Sequence, residues 1–360
     1  MEHLDRKSID IHVACDDSPG SQALSILREV EGIGLRLTDF GQPVYGRPLR
    51  TRIAALAGVA RTARSLAGLI AYTRRHRIAL VHGTEKPRDV IFGTLVAWAA
   101  GARYVVHLHV KAENWIRPWI LALMRRSGGL IAVSDFVAES AVALGFRRER
   151  IHVVHNALDS TTWDPAATDP GRLRAEFDLE DDELLFVIVA RINPWKGHEL
   201  LLRALAILMR QRVAFRLLVV GEDDPAATPG KSQLALLHTL VDELNLTNRV
   251  TFTGYRSDVR DILAACDVFT MPSFEEPFGL VFLEVMAMMK PVVALDSGGT
   301  IEIVQHGVTG LLSEPGDAKT FAANVLLLVD DSELRARFGE AARYRVLTEF
   351  TPATLASGVT

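Results

Sequence analysis

The run Leu184–Ala190, LLFVIVA, followed at once by Arg191, Lys196 and Gly197, decides the fold. Seven apolar residues without alternation describe a strand buried on both faces, and the helical period that takes over from Gly197 to Arg212 describes a helix laid against it. The scheme then repeats. Strands are expected at Phe215–Gly221, Arg249–Gly254, Val268–Ser273 and Pro291–Asp296, with helices at Leu234–Asn245, Ser257–Asp267, Phe278–Met289 and from about Asp317 to Asp331. Apolar strands separated by helices make a parallel sheet covered on both faces, and such sheets take ligands at the carboxyl ends of their strands. Upstream, strands at Ile9–Cys15, Ile78–His82, Tyr104–His109, Leu130–Ser134 and Ile151–His155 continue the same α/β pattern.

Composition agrees with two folded domains. The 360 residues exceed one ordinary core, at about 100–200 residues per domain. With 49% hydrophobic and 23% charged residues, disordered and collagen-like chains are excluded. No apolar run approaches the roughly 18–20 residues that cross a bilayer, and the first residues are too polar for a signal peptide. Cys15 and Cys266 form neither a disulfide framework nor a metal-type cluster, so a reducing, cytoplasmic setting is expected.

The net charge of −4 divides unevenly: residues 1–180 hold 24 Lys+Arg against 20 Asp+Glu, and residues 181–360 hold 16 against 24. That balance argues against a nucleic-acid partner. It leaves a basic face on the first half. From Ile53 to Arg77, Leu56, Val59, Ala63, Leu66 and Ile70 fall at helical spacing, with Arg61, Arg64 and Arg75 on the other side. The simplest expectation is a helix packed on a sheet. Contact of the basic face with a membrane or an anionic acceptor, at the inner membrane face, is the sharper one. Trp115, Trp119 and the apolar residues between them are expected mainly as core, with a membrane-touching helix as the alternative.

Unusual residues cluster at the expected strand ends of the second half. Arg191 and Lys196 stand on a loop entering a helix, where two cations beside free backbone amides suit a diphosphate. After Val268–Ser273 come Glu275, Glu276, Pro277, Phe278, Gly279 and Leu280, then Glu284 about a turn and a half on. The amides of Phe278, Gly279 and Leu280 open a helix and can hold an anion, and carboxylates accept hydrogen bonds from sugar hydroxyls. Asp296-Ser297-Gly298-Gly299-Thr300 ends another strand, with Glu302 on the helix after it. Thr253-Gly254-Tyr255-Arg256 has the position to lie along a nucleobase. Glu222, Asp223 and Asp224 could hold Mg²⁺ on a diphosphate, but an exposed acidic loop is the expectation, because the Arg–Lys pair already supplies positive charge.

In this order and spacing, Arg191-x4-Lys196, Glu276-Pro277-Phe278-Gly279-x4-Glu284 and Gly298-Gly299-x-x-Glu302 resemble the retaining glycosyltransferases of family 4, the group 1 nucleotide-sugar enzymes with the GT-B fold. His306-Gly307, Thr309-Gly310-Leu311-Leu312 and Pro315-Gly316-Asp317 follow the same pattern. The likeness is clear over 184–332. It is weaker over 78–159, where Val81-His82, His107-Leu108-His109, Ala132-Val133-Ser134 and Asn156-Ala157-Leu158-Asp159 match family strand ends.

The resemblance implies two Rossmann-like doubly wound domains facing each other across a cleft. The divisions expected are an acceptor-side domain at 1–165, a linker at 166–182, a nucleotide-sugar domain at 183–345 and the start of a terminal helix at 346–360. It further implies a hexosyltransferase that moves a sugar from a UDP- or GDP-linked co-substrate to an acceptor hydroxyl, with no cofactor and no metal. Arg191 and Lys196 would neutralise the leaving diphosphate, Glu276 would hold the transferred sugar, Glu284 would bind the ribose, and Gly254, Tyr255 and Gly299 would line the donor site. His109 would face the donor sugar, while His82 and His107 are expected to be structural. Two departures stand out. The usual opening strand and Gly-Gly loop have no counterpart: either the first βα unit is missing, with Met1–Ser8 reading as a helix end, or Asp16–Gly20 is a degenerate version of that loop. The terminal helix would also be cut short. An inactive homologue that binds nucleotide sugar or a protein partner is the alternative expectation.

Overall fold

The computed structural model describes residues 9–16, 22–38, 51–180, 182–224 and 232–359. Met1–Ser8, Asp17–Gly20 and the side chain of Leu56 lie outside the described residues. Two compact units are present. The first takes the chain up to Val133, then Val137–Val154 and the last residues from Ala356; the second takes Ser134–Phe136 and His155–Leu355.

In the first unit, β1 (Ile11–Asp16), α1 (Gln22–Glu29), β2 (Ile33–Thr38), α2 (Thr51–Arg75), β3 (Leu80–Thr84) and α3 (Pro87–Ala100) follow in order. They are succeeded by β4 (Arg103–Leu108), α4 (Pro118–Arg125), β5 (Gly129–Ala132), α5 (Asp135–Ala143) and β6 (Ile151–Val153). Among the described residues all pairings are parallel, but the strands form two sheets: β1 pairs with β2, and the other runs β3-β4-β5-β6. Thus β1 is not the centre of a larger sheet. Tyr104, Val106 and Leu108 of β4 are buried, while the alternate residues Arg103, Val105 and His107 are more accessible. Trp115 and Trp119, expected mainly as core, are 47% and 50% exposed. Their buried counterparts are Ile116 and Ile120.

The second unit opens with α6 (Pro170–Glu176), then β7 (Leu184–Val189), α7 (His198–Arg210), β8 (Phe215–Val220), α8 (Gln233–Glu243), β9 (Val250–Gly254) and α9 (Val259–Ala265). It continues with β10 (Val268–Met271), α10 (Leu280–Ala287), β11 (Val292–Leu295), α11 (Thr300–Ile303), β12 (Gly310–Ser313), α12 (Ala318–Asp330) and α13 (Ser332–Glu349). Last comes α14 (Pro352–Val359). The parallel sheet has the order β12-β11-β10-β7-β8-β9. From β7 the chain winds outward to β9 and then restarts on the other side at β10, so β7 and β10 flank the switch point. On its two faces α7 packs against α8 and α12, and α10 packs against α9 and α13.

The units part at Val154/His155 and not in 166–182. Acids that gave that stretch a linker's composition are caps and ion-pair partners: Asp169 accepts from the Arg172 amide to start α6, and Glu176 meets Arg256 at 2.6 Å. Likewise α13 carries regular structure past 345, its first turn capped by Asp331 through the Leu334 amide at 2.8 Å.

Candidate active site

The carboxyl ends of β7, β10 and β11 are neighbours in the sheet, so the loops that leave them meet. The β7 loop carries Arg191 and Lys196 and enters α7 through Gly197. At φ +76 Gly197 adopts a left-handed backbone, and a Cβ there would lie 1.9 Å from the Pro272 carbonyl oxygen, so only glycine lets the two loops touch. The Phe274 amide donates to the Trp195 carbonyl at 2.8 Å across the same junction.

Lys196 and Glu276 therefore come together. Lys196 Nζ lies 2.6 Å from Glu276 Oε2; Glu276 is buried and Lys196 largely so. The ammonium also sits 3.9 Å from the Trp195 ring centroid. His198, the next residue but one, is fully buried; burial first and the Lys196 charge second push its imidazole down to about 4, so it is neutral beside the cation. Arg191 takes a different partner: it meets Asp224 at 3.0 Å and is 71% exposed. The acidic loop expected to be solvated is thus partly recruited, since Asp224 also accepts from Asn193 at 3.5 Å. Among the described residues no group of three or more His, Cys, Asp or Glu is placed to hold a metal ion.

The loop between β10 and α10 is moulded from below. Ser297 Oγ accepts from the Glu275 amide at 3.1 Å, and the Gly299 amide donates to the Glu276 carbonyl at 2.7 Å. Gly298, at φ +63, leaves no room for a Cβ, which would meet the Glu276 amide nitrogen and carbonyl oxygen at 2.6 Å. Ser134 Oγ donates to the Pro277 carbonyl at 2.5 Å. Glu302 completes the ring by accepting from the Asp135 and Phe136 amides at 2.8 and 3.0 Å, with His155 Nε2 at 2.9 Å. Burial works to raise the Glu302 carboxyl, but these hydrogen bonds outweigh it and hold the group below the usual carboxylate value. Ser134, His155, Ser297 and Asp224 were not singled out as site residues from the sequence. Ser134, Ser297 and Asp224 fall within strand-end motifs, but the partners that give them these roles are distant in the chain, and no local pattern announces those contacts.

Phe278 is buried between the rings of His155 and Phe350, at 5.6 and 6.1 Å, while Gly279 and the half-exposed Leu280 open α10. Glu284, on the second turn of α10, has its carboxyl pushed up to about 7 by burial. Gly254 and the exposed Tyr255 end β9. A cavity of about 790 Å³ lies beside them, lined by Gly221, His238, Phe252 and Gly254 among others; it takes in none of the four charged side chains expected to converge. Two of those four touch, Lys196 and Glu276, while Arg191 shares the Lys196 loop and Glu284 follows on α10.

In the first unit His109 ends β4, its amide donating to Glu85 at 3.2 Å and its ring stacked on His107 at 4.2 Å. His107 Nδ1 lies 3.2 Å from His82 Nε2. Burial first, then the neighbouring imidazoles, push His107 down to about 3, so the central ring of the stack is neutral.

Comparison with known proteins follows the same division. Residues 171–345 match the family model for glycosyl transferases group 1, and residues 1–157 match that for a glycosyl transferase 4-like domain. The lipopolysaccharide core biosynthesis glycosyltransferase LpsE of Rhizobium meliloti is 32% identical over 271 residues, 74% of this chain and 73% of that protein. The chain belongs to the group 1 glycosyltransferases.

Other members of the family are matched over shorter stretches. The N-acetyl-alpha-D-glucosaminyl L-malate synthase of Bacillus anthracis is 30% identical over 63% of this chain and 57% of its own length. The D-inositol 3-phosphate glycosyltransferase of Mycolicibacterium smegmatis is 35% identical over 56% of this chain and 45% of its own length. The fold is that of Anabaena HepE, solved with UDP, at a TM-score of 0.78 and 24% identity over 98% of both chains. The same protein solved with UDP-glucose aligns at 0.76 and 25% identity, over 97% of this chain and 90% of that one. These likenesses place the chain in the GT-B class, and with the family comes the coarse activity, transfer of a sugar from a nucleotide-sugar donor.

Proposed function

We propose that the chain is a retaining, metal-independent hexosyltransferase that moves a sugar from a UDP- or GDP-linked donor to an acceptor hydroxyl. The observation that carries this reading is the largely buried Lys196–Glu276 pair at the switch point, with Arg191 on the same loop. In the proposed reaction the bond from the anomeric carbon to the diphosphate oxygen breaks, its electron pair leaving with the nucleoside diphosphate. The acceptor oxygen bonds to the same face of that carbon and its proton is released. Lys196 and Arg191 stabilise the charge that develops on the diphosphate, and electrostatic help of this kind is usually the largest single contribution to such a step.

Glu276, held against Lys196, accepts from hydroxyls of the transferred sugar. Glu284 accepts from the ribose, Gly254 and Tyr255 lie along the base, and the Phe278, Gly279 and Leu280 amides meet donor phosphate or sugar. Gly299 lets the loop beneath them close. His109 is assigned to the donor sugar on the family resemblance alone. The relatives' names span lipopolysaccharide core biosynthesis, D-inositol 3-phosphate and L-malate, so they support a hydroxyl acceptor without selecting one.

The test is a panel of UDP- and GDP-sugars offered with pooled hydroxyl acceptors and followed by mass spectrometry, with the anomeric configuration of the product read by NMR. Retention, undiminished by a chelator, is expected. An inverted product, or activity lost to chelation and restored by Mn²⁺, would overturn the corresponding part. A second reading, donor binding without transfer, is favoured by one observation: the strands of the first unit form separate sheets of two and four. Calorimetric donor binding without transfer or hydrolysis in that panel would select it.

A further inference from the structure

Because β3 to β6 are parallel, one edge of the first unit gathers the amino ends of those strands and the carboxyl ends of α2 to α5. This edge is opposite the one where Glu85 and His109 stand. It is densely basic. Residues 51–150 hold 16 Lys+Arg against 6 Asp+Glu, and most of the surplus lies here.

Three of its arginines knit the edge together. Arg74 donates to the Ala99 carbonyl of α3 at 2.5 and 3.1 Å, Arg125 donates to the Leu144 carbonyl, and Arg150 donates to the Arg125 and Ser127 carbonyls. Cations at helix carboxyl ends are expected to serve in this way, through the helix dipole and the last carbonyls. Carbonyl bonding of this kind does not reach the side chains of Arg75, Arg77, Arg103 and Arg126 among the described residues, although Arg75 and Arg126 also stand at helix carboxyl ends. All four are exposed, and among the described residues none has an ion pair.

Nor does it reach the apolar groups set among them. Trp98, on the last turn of α3 beside Ala99, is 81% exposed. Leu80, paired in register with Arg103, is 50% exposed. A lone indole and an aliphatic side chain between unpaired guanidinium groups suit a boundary between charged headgroups and hydrocarbon. A polyanion without hydrocarbon would use the arginines but gain little from Leu80, and one ring is not a stacking platform.

We propose that this edge of the first unit docks on an anionic phospholipid bilayer, with Arg75, Arg77, Arg103 and Arg126 at headgroup phosphates and Trp98 in the interfacial layer. The proposal does not depend on the transfer reaction.

The full chain is tested by co-sedimentation with vesicles of phosphatidylglycerol mixed into phosphatidylcholine, against pure phosphatidylcholine, at low and raised salt. Binding is expected only to the anionic vesicles, weakening with salt and shifting tryptophan emission to the blue. Each arginine near such a surface contributes roughly fivefold, so the triple variant Arg75→Glu, Arg77→Glu, Arg126→Glu is expected to bind at least about a hundredfold more weakly. Among the described residues the side chains of these arginines make no hydrogen bond, so the variant's circular dichroism and thermal midpoint are expected to match the parent. Trp98→Ala is expected to weaken vesicle binding and remove most of the blue shift. Equal binding to pure phosphatidylcholine, or an unaffected triple variant, would overturn the proposal. So would duplex DNA bound as tightly as the anionic vesicles, with Trp98→Ala leaving both unchanged.

Discussion

In the second unit β10 and β11 bury every residue, whereas in the first unit β4 leaves alternate positions accessible and β3 buries none of its residues. The physical difference is cover. The second sheet has helices on both faces, so β7 and β11 are apolar throughout and its loops leave from fixed points. There the three loops around Glu276 lock to one another through backbone hydrogen bonds and glycines that admit no Cβ. In the first unit the same kind of parallel pairing carries imidazoles and arginines on its more open face, and its strand ends are joined by a stack of histidines. A reaction centre that must hold charges within tenths of an ångström belongs on the first kind of scaffold.

The comparison breaks most visibly at its apolar positions. Phe269→Ala, in fully buried β10, is expected to cost about 3–5 kcal/mol, and Leu80→Ala, half-exposed on β3, less than about 1 kcal/mol. Equal losses in denaturant titrations would contradict the difference in cover.

Next in size is Glu284, whose carboxyl burial raises from 4.5 to about 7. Between these values the folded chain binds more protons than the unfolded one. This group's contribution to stability is therefore lost as pH rises through that window, by about 3 kcal/mol at most. Thermal midpoints of Glu284→Gln against the parent, taken from acid to mildly alkaline pH, should show the variant gaining on the parent as pH rises and levelling off above about 7. A constant difference across the range would sink the assignment.

The smallest effect is expected from Ser134→Ala, which removes one hydrogen bond to the Pro277 carbonyl and should cost about 1 kcal/mol. If Ser134 positions the Glu276 loop, kcat should fall several-fold with donor KM nearly unchanged, and Ser134→Thr should restore it. A pure loss of stability, with unchanged kcat in the folded fraction, would leave Ser134 a structural residue.

Much of the second unit was legible because LLFVIVA and its successors carry one message, burial on both faces. The first unit was read less well. The residues of β2, IGLRLT, include a glycine and an arginine and present no apolar run, so pairing with β1 and not local pattern makes them a strand. The acids of 166–182 looked like a linker because composition does not distinguish a solvated carboxylate from a helix cap. In the site, Lys196 and Glu276 were visible as residue types at strand ends, but the ring that seats them was not. Glu302 finds its partners 147 to 167 residues away, a relation that only the folded chain supplies.

The central claim is that Lys196 and Glu276 form the charged heart of the donor site, and titration calorimetry with UDP- and GDP-linked sugars tests it most directly. The parent should bind at least one of them. Lys196→Ala should weaken that binding at least about tenfold, because a cation on a phosphate is worth about 1.5–3 kcal/mol. Glu276→Gln should weaken binding of the sugar nucleotide more than of the bare nucleoside diphosphate. Dissociation constants that stay the same in all three proteins would contradict the account.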